Sequence, residues 1–286
     1  FEAQTGPQTD GLDIVKCDLM VKKQIEASLK ECDALIWCAT GFSDSSEQTW
    51  FDKLSRLFGV ATKRTVDLEA LPTIGDCFSS SDPSNFPKVV MCSSAGVTRP
   101  SWTDQKKERL SGCADIPIVR LNPFGILDIK CESEEVLRQS GSSYCIFRPA
   151  GLNDKWPVGS RPIFSQGDVA VGRINRKDVA KILVDILSTE EATGKTFEAV
   201  TIAGYPPPTS IGMALSRFSK DADGPLSDDV VEANYAAMQQ LLPGEKQDAA
   251  SLAMGQTYEQ LDKNEVGRLG EKGKEDAEAV APKPSS

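Results

Sequence analysis

Four clusters of small and polar residues are spaced along residues 17–151 in a pattern that could hold a ligand. They are Cys17-Asp18-Leu19, Ala39-Thr40-Gly41, Ser93-Ser94-Ala95-Gly96 and Arg148-Pro149-Ala150-Gly151, and each closes a short apolar run. Small side chains and hydroxyls at such positions let a flat or phosphorylated molecule come close to the backbone. Singly, each has a plainer reading: Asp18 caps the helix that begins near Val21, and Gly41 turns the chain. Their serial order is what favours a ligand.

Other chemistry is excluded by composition. The 286 residues include no histidine, which removes the usual imidazole base, every Ser-His or Cys-His nucleophile pair and the commonest zinc ligand. The balance of 42 acidic against 32 basic side chains gives a net charge of −10, which repels nucleic acid and anionic membrane surfaces. The eight cysteines (17, 32, 38, 77, 92, 113, 131, 145) never stand in C-x-x-C spacing; they read as buried thiols of a reducing compartment, with Cys92 and Cys145 inert in core strands. No segment has the apolar length of a membrane span, and no signal-like stretch is present.

The elements that must position the clusters are near-continuous apolar runs at residues 13–19, 34–41, 87–96, 143–149 and 196–203. Apolarity on both faces marks strands of a parallel sheet. Helical patterns lie between them. At 176–187, Asn175 is the cap, Asp178 the third residue, and Val179, Ile182, Leu183, Ile186 and Leu187 form one stripe. At about 127–138, Lys130 and Glu134 stand one turn apart and Gly141 is the stop. The fold class is therefore α/β, a doubly wound, mostly parallel sheet of Rossmann type. Ligands of such sheets lie beyond the carboxyl ends of the strands, where the four clusters fall.

After Gly204 the texture changes. Pro206, Pro207 and Pro208 break regular structure, Ser227 opens a helix with Val231, Tyr235, Met238 and Leu242 on one face, and Pro243-Gly244 precedes a second helical pattern at 245–261. The expected organisation is a domain at 1–204, a helical extension at 205–262 and a disordered tail at 263–286. A G-x-x-G-x-x-G at Gly267, Gly270 and Gly273 lies in that tail with no strand before it and is rejected as a phosphate loop. Arg99, Lys106, Lys107 and Arg109 around Trp102 read as a solvated helix face, and Glu132, Glu134 and Glu135 as solvent-facing.

The ordered set IVKCDL, ALIWCATG, KVVMCSSAGV, NPFGILDIKCESEEVLRQSGSSYCIFRPAGL and GRINRKDVAKILVDIL resembles the atypical short-chain dehydrogenase/reductases with an NmrA-like or plastid-type NAD(P)-binding domain, over about residues 11–204. The resemblance implies an NAD or NADP cofactor, with Asp18 on the adenine amino group and Ala39, Thr40 and Gly41 along the adenosine half. It implies Ser94 as the catalytic serine, Lys130 as the ribose-binding lysine, and Pro149 and Ala150 beside the nicotinamide.

Two departures accompany it. Catalytic members carry a tyrosine four residues before the lysine, and that position is Ile126, which cannot transfer a proton. The glycine-rich strand-turn-helix that seats the pyrophosphate is absent from its place, so the native polypeptide is expected to be longer at its N-terminus. Two functions follow. One is an NAD(P)-dependent oxidoreductase with Ser94, Lys130 or water handling the proton. The other is a catalytically silent scaffold or assembly factor for a thylakoid complex, docking through the C-terminal helices. A chloroplast location, in the stroma or at the thylakoid surface, is implied by the resemblance alone.

Overall fold

The computed structural model describes residues 11–39, 65–79, 85–240, 252–256, 260–261, 264–267 and 269–274. Strands β1 (Leu35–Trp37), β2 (Val89–Cys92), β3 (Tyr144–Pro149) and β7 (Lys195–Ile202) run parallel, and β5 (Arg161–Ser165) closes the sheet antiparallel to β7, in the order β1-β2-β3-β7-β5. A two-residue pair, β4 (Gly151–Leu152) with β6 (Arg173–Ile174), continues the chain beyond β3.

Alternate residues of each strand feed opposite faces. Val90, Cys145, Phe147, Phe197 and Ala199 meet Val179, Ile182, Leu183 and Ile186 of α7 (Arg176–Leu187). Burying each of those four aliphatic side chains contributes about 1.5–3 kcal/mol. The helix starts where its cap demands, with the Asn175 carboxamide oxygen accepting from the Lys177 N–H at 2.9 Å. On the other face Val89, Met91 and Ile146 meet α1 (Lys22–Leu29), α2 (Val66–Phe78) and the C-terminal half of α6 (Ile126–Gln139). Helices on both faces of a mostly parallel sheet make the fold α/β and doubly wound, as the apolar runs predict.

Not every run forms a strand. Residues 12–18 are without regular structure, and Leu12, Ile14 and Val15 are 66%, 81% and 65% exposed. The physical reason is that a strand exists only through a ladder partner. Among the described residues β1 is an edge, paired with β2 alone, and no strand lies along its other side. Conversely β5 escapes a reading by pattern, because its Arg161-Pro162 start and half-buried middle lack alternation; proline is tolerated there because the strand is an edge.

Between β2 and α6 lie the short helices α3 (Asp104–Arg109), α4 (Ser111–Ala114) and α5 (Pro117–Leu121), and after β7 come α8 (Gly212–Leu215) and α9 (Asp228–Gln240). The apolar stripe of α9, considered from sequence as a partner surface, is consumed internally. Val231 and Met238 are buried with Trp102, Leu110, Cys113 and Ala170, the Tyr235 hydroxyl accepts from the Gly112 N–H at 2.9 Å, and Arg109 grips Asp228 and Glu232. Leu242 and most of 245–261 lie outside the described residues. In the tail expected to be disordered, the described residues carry a Gly267–Gly270 bridge and a buried Leu269. Gly270 and Gly273 have φ of 112° and 80°, as turn glycines do.

Candidate functional site

The tips of the parallel strands stay in register past their ends. The Ser93 N–H bonds to the Phe147 carbonyl at 2.8 Å, the Ala95 N–H to the Pro149 carbonyl at 3.0 Å and the Ala150 N–H to the Ala199 carbonyl at 3.0 Å. Ala39 follows β1, Ser94 follows β2 and Pro149-Ala150 ends β3, so these four expected site residues lie along one edge of the sheet. Ala95 and Ala150 are buried in the same cluster. Among the described residues the Ser94 hydroxyl donates to its neighbouring Ala95 carbonyl alone, at 3.1 Å.

Lys130 sits half-buried on α6, and its ammonium makes no hydrogen bond or ion pair among the described residues. Its charge reaches the thiols of Cys38 and Cys92 at the tips of β1 and β2, which places it at the same edge. Asp18 is exposed just before α1 and does not cap it: its carboxylate accepts from the Met20 N–H at 2.9 Å and its carbonyl from the Val21 N–H, while Val21 holds the N-cap position without a side-chain bond. Thr40 and Gly41 lie outside the described residues.

Ile126, in the place of the absent tyrosine, is 6% exposed and packed with Val97, Val119 and Leu127. No proton donor stands there. A small pocket of about 40 Å3 lined by Ser160, Asp178, Lys181 and Ile211 contains none of the expected site residues.

Beneath the edge runs a buried polar network that sequence reading missed. Glu134, expected in solvent, is fully buried and forked by Arg148 of β3, while Glu132 and Glu135 are exposed. Burial opposes its charge, but the guanidinium groups of Arg148 and Arg138 prevail and hold its carboxyl below the ordinary carboxylate value. Arg99, expected on a solvated helix face, is also fully buried, donating to the carbonyls of Asp168, Cys113 and Ala170 at 2.7 to 2.8 Å. Asp168, at φ 61°, accepts from the Gly96 N–H at 2.6 Å and the Thr98 N–H at 2.9 Å. Glu198 of β7 accepts from the Asp168 N–H at 3.0 Å; burial, then the Asp168 carboxylate, push its pKa up to about 7. A charged residue in an amphipathic helix or loop gives no sign from sequence that its partner waits on a distant strand.

This arrangement tests how a dinucleotide would fit. At this edge a ribose and nicotinamide would meet an ammonium with no partner among the described residues, a serine hydroxyl with a local bond, and alanine and proline at the strand tips. The pyrophosphate does not find its seat here. The backbone N–H groups of Gly96 and Thr98, which form the anion-binding loop after β2, are already taken by Asp168, and among the described residues no strand leads through a glycine-rich turn into a helix.

The described residues include no group of three or more metal-ligating side chains suited to a metal ion. No described helix is long and apolar enough to cross a membrane. An uncharacterised chloroplastic protein of Arabidopsis thaliana is 36% identical over 87 residues, which is 30% of this chain and 31% of that protein; the matched region spans under a third of the relative's length. The oxidoreductase ylbE of Lactococcus lactis has 16% identity, covers 73% of this chain and 78% of its own, and superposes with a TM-score of 0.48. A short-chain dehydrogenase/reductase of Veillonella parvula in complex with NADP has 15% identity, covers 68% and 75%, and gives 0.41. Residues 2–190, well over half of the chain, match the NAD(P)H-binding family. With a Rossmann-like sheet and a family match over most of it, the chain belongs to the NAD(P)H-binding family.

Proposed function

We propose that the chain is an oxidoreductase that holds the ribose and nicotinamide of NAD(P) across the tips of β1, β2 and β3. The observation that carries this reading is the Lys130 ammonium, without a partner among the described residues, at the sheet edge that carries Ala39, Ser94 and Pro149-Ala150. When bound, the nicotinamide supplies or accepts a hydride. Lys130 donates to the ribose hydroxyls, Ser94 donates to a substrate carbonyl, and the buried Pro149 and Ala150 present an apolar wall to one ring face. Ile126 cannot relay a proton, so the proton of the reaction comes from Ser94, Lys130 or a water held between them. Asp18 and the 39–41 segment are assigned to the adenosine half. The chloroplastic relative supports a plastid location, in the stroma or at the thylakoid surface. The scaffold reading loses its structural motive, because the described part of the α9 stripe is covered by the chain itself.

Titration of the protein with NADPH and NADH, followed by calorimetry, tests the site. Lys130→Met is expected to weaken binding by about tenfold or more, since a charge-assisted hydrogen bond contributes about 1.5–3 kcal/mol, without lowering the unfolding temperature. Equal affinity of the two proteins for both dinucleotides refutes the assignment.

A further inference from the structure

β1 and β2 pair in register at Leu35–Val89, Ile36–Val90 and Trp37–Met91, so the next position along both strands sets Cys38 beside Cys92. Paired residues of neighbouring strands share a face, and the strands stand about 4.8 Å apart, within the roughly 4.4–6.8 Å that a disulfide spans between Cα atoms. On that register the Cys92 thiol is within reach of the Cys38 sulfur, and a hydrogen bond from it favours the Cys38 thiolate. Cys38 is exposed and Cys92 is partly covered.

That hydrogen bond, opposed by burial and helped by the Lys130 charge, brings the Cys38 thiol down to about 7. The same bond, together with burial, pushes Cys92 up. One sulfur is thus reachable and ionised near neutrality while its neighbour keeps its proton, the division of labour between an attacking and a resolving thiol.

We propose that Cys38 and Cys92 form a reversible dithiol–disulfide couple that exchanges with small-molecule disulfides at the carboxyl edge of the sheet. The Cys38 thiolate attacks one sulfur of R–S–S–R, the S–S bond breaks, and RS⁻ leaves and takes up a proton. Cys92 then gives up its proton, and its sulfur attacks the mixed disulfide at Cys38 and expels the second RS⁻. The two cysteines lose two electrons and two protons; the external disulfide gains both as two thiols. A dithiol reductant reverses the sequence.

The test incubates the whole, cofactor-free protein with oxidised glutathione, blocks remaining thiols with an alkylating agent and maps the digest by mass spectrometry. The expected result is a Cys38–Cys92 linkage in the wild type, none in Cys38→Ser, and a stable glutathione adduct on Cys38 in Cys92→Ser. At pH 7 a thiol of pKa about 7 is half ionised, against about one part in a hundred at the ordinary 9.0. With about tenfold lower intrinsic nucleophilicity, Cys38 should react about fivefold faster than a cysteine in an unstructured peptide. Alkyl label on both Cys38 and Cys92 of the wild type, or a linkage joining other cysteines, overturns the proposal. The linkage is read without dinucleotide, so its failure is separable from failure of the NAD(P) reading.

Discussion

Glu198→Gln isolates one proton in the buried network. Glu134 faces Arg148 and Asp168 faces Arg99, so Glu198 is the carboxyl left without a cation of its own. Burial, followed by the nearby Asp168 carboxylate, raises its pKa from 4.5 to about 7. The folded protein therefore keeps a proton that the unfolded chain releases above pH 4.5. Stability linked to this group is fully present below that pH and is lost as pH rises through about 7. At 1.36 kcal/mol for each pH unit the loss totals about 3 kcal/mol, or roughly 6–12 °C in unfolding temperature for a chain of this size.

The window is clean. No histidine titrates in it. Glu134, held low, adds stability that is present above its unfolded value and lost only as the solution turns more acidic. Cys38, lowered to about 7 from 9.0, adds stability only as pH rises across that higher interval. Glutamine preserves the acceptor for the Asp168 N–H and cannot ionise. Urea unfolding of both proteins from about pH 4.5 to 7 should show the wild type losing stability relative to Glu198→Gln. Curves that run parallel through the interval refute the argument.

Glu134→Leu strands the buried Arg148 guanidinium and should cost about 3–5 kcal/mol, whereas Glu134→Leu with Arg148→Met should recover most of it, because removing both charges also removes their desolvation penalty; denaturant unfolding of the two variants checks the non-additivity. Gly75→Ala should destabilise by roughly 1–3 kcal/mol, since a Cβ there would collide with the Ser140 Cβ where α2 meets α6; thermal unfolding reads the loss, and unchanged stability would mean the two helices are free to separate.

What the sequence determined is local. The 176–187 stripe with its Asn175 cap forms the helix it predicts, Gly141 closes α6 at φ 74°, and four of the five apolar runs contain strands, because helical and strand periodicity and capping depend on residues a few positions apart. The same locality explains the placement of Ala39, Ser94 and Pro149-Ala150 on one edge, since parallel strands place their following residues at the same end of the sheet. What the tertiary structure alone decided is pairing. It denies residues 13–19 a ladder, brings Arg148 onto Glu134 and Arg99 onto Asp168, turns the α9 stripe inward, and sets Cys38 beside Cys92. ALIWC and KVVMC each end in cysteine, but only the β1–β2 register makes those two sulfurs neighbours. Register and burial come from contacts across dozens of residues, and no periodicity within one segment encodes which distant segment will lie alongside it.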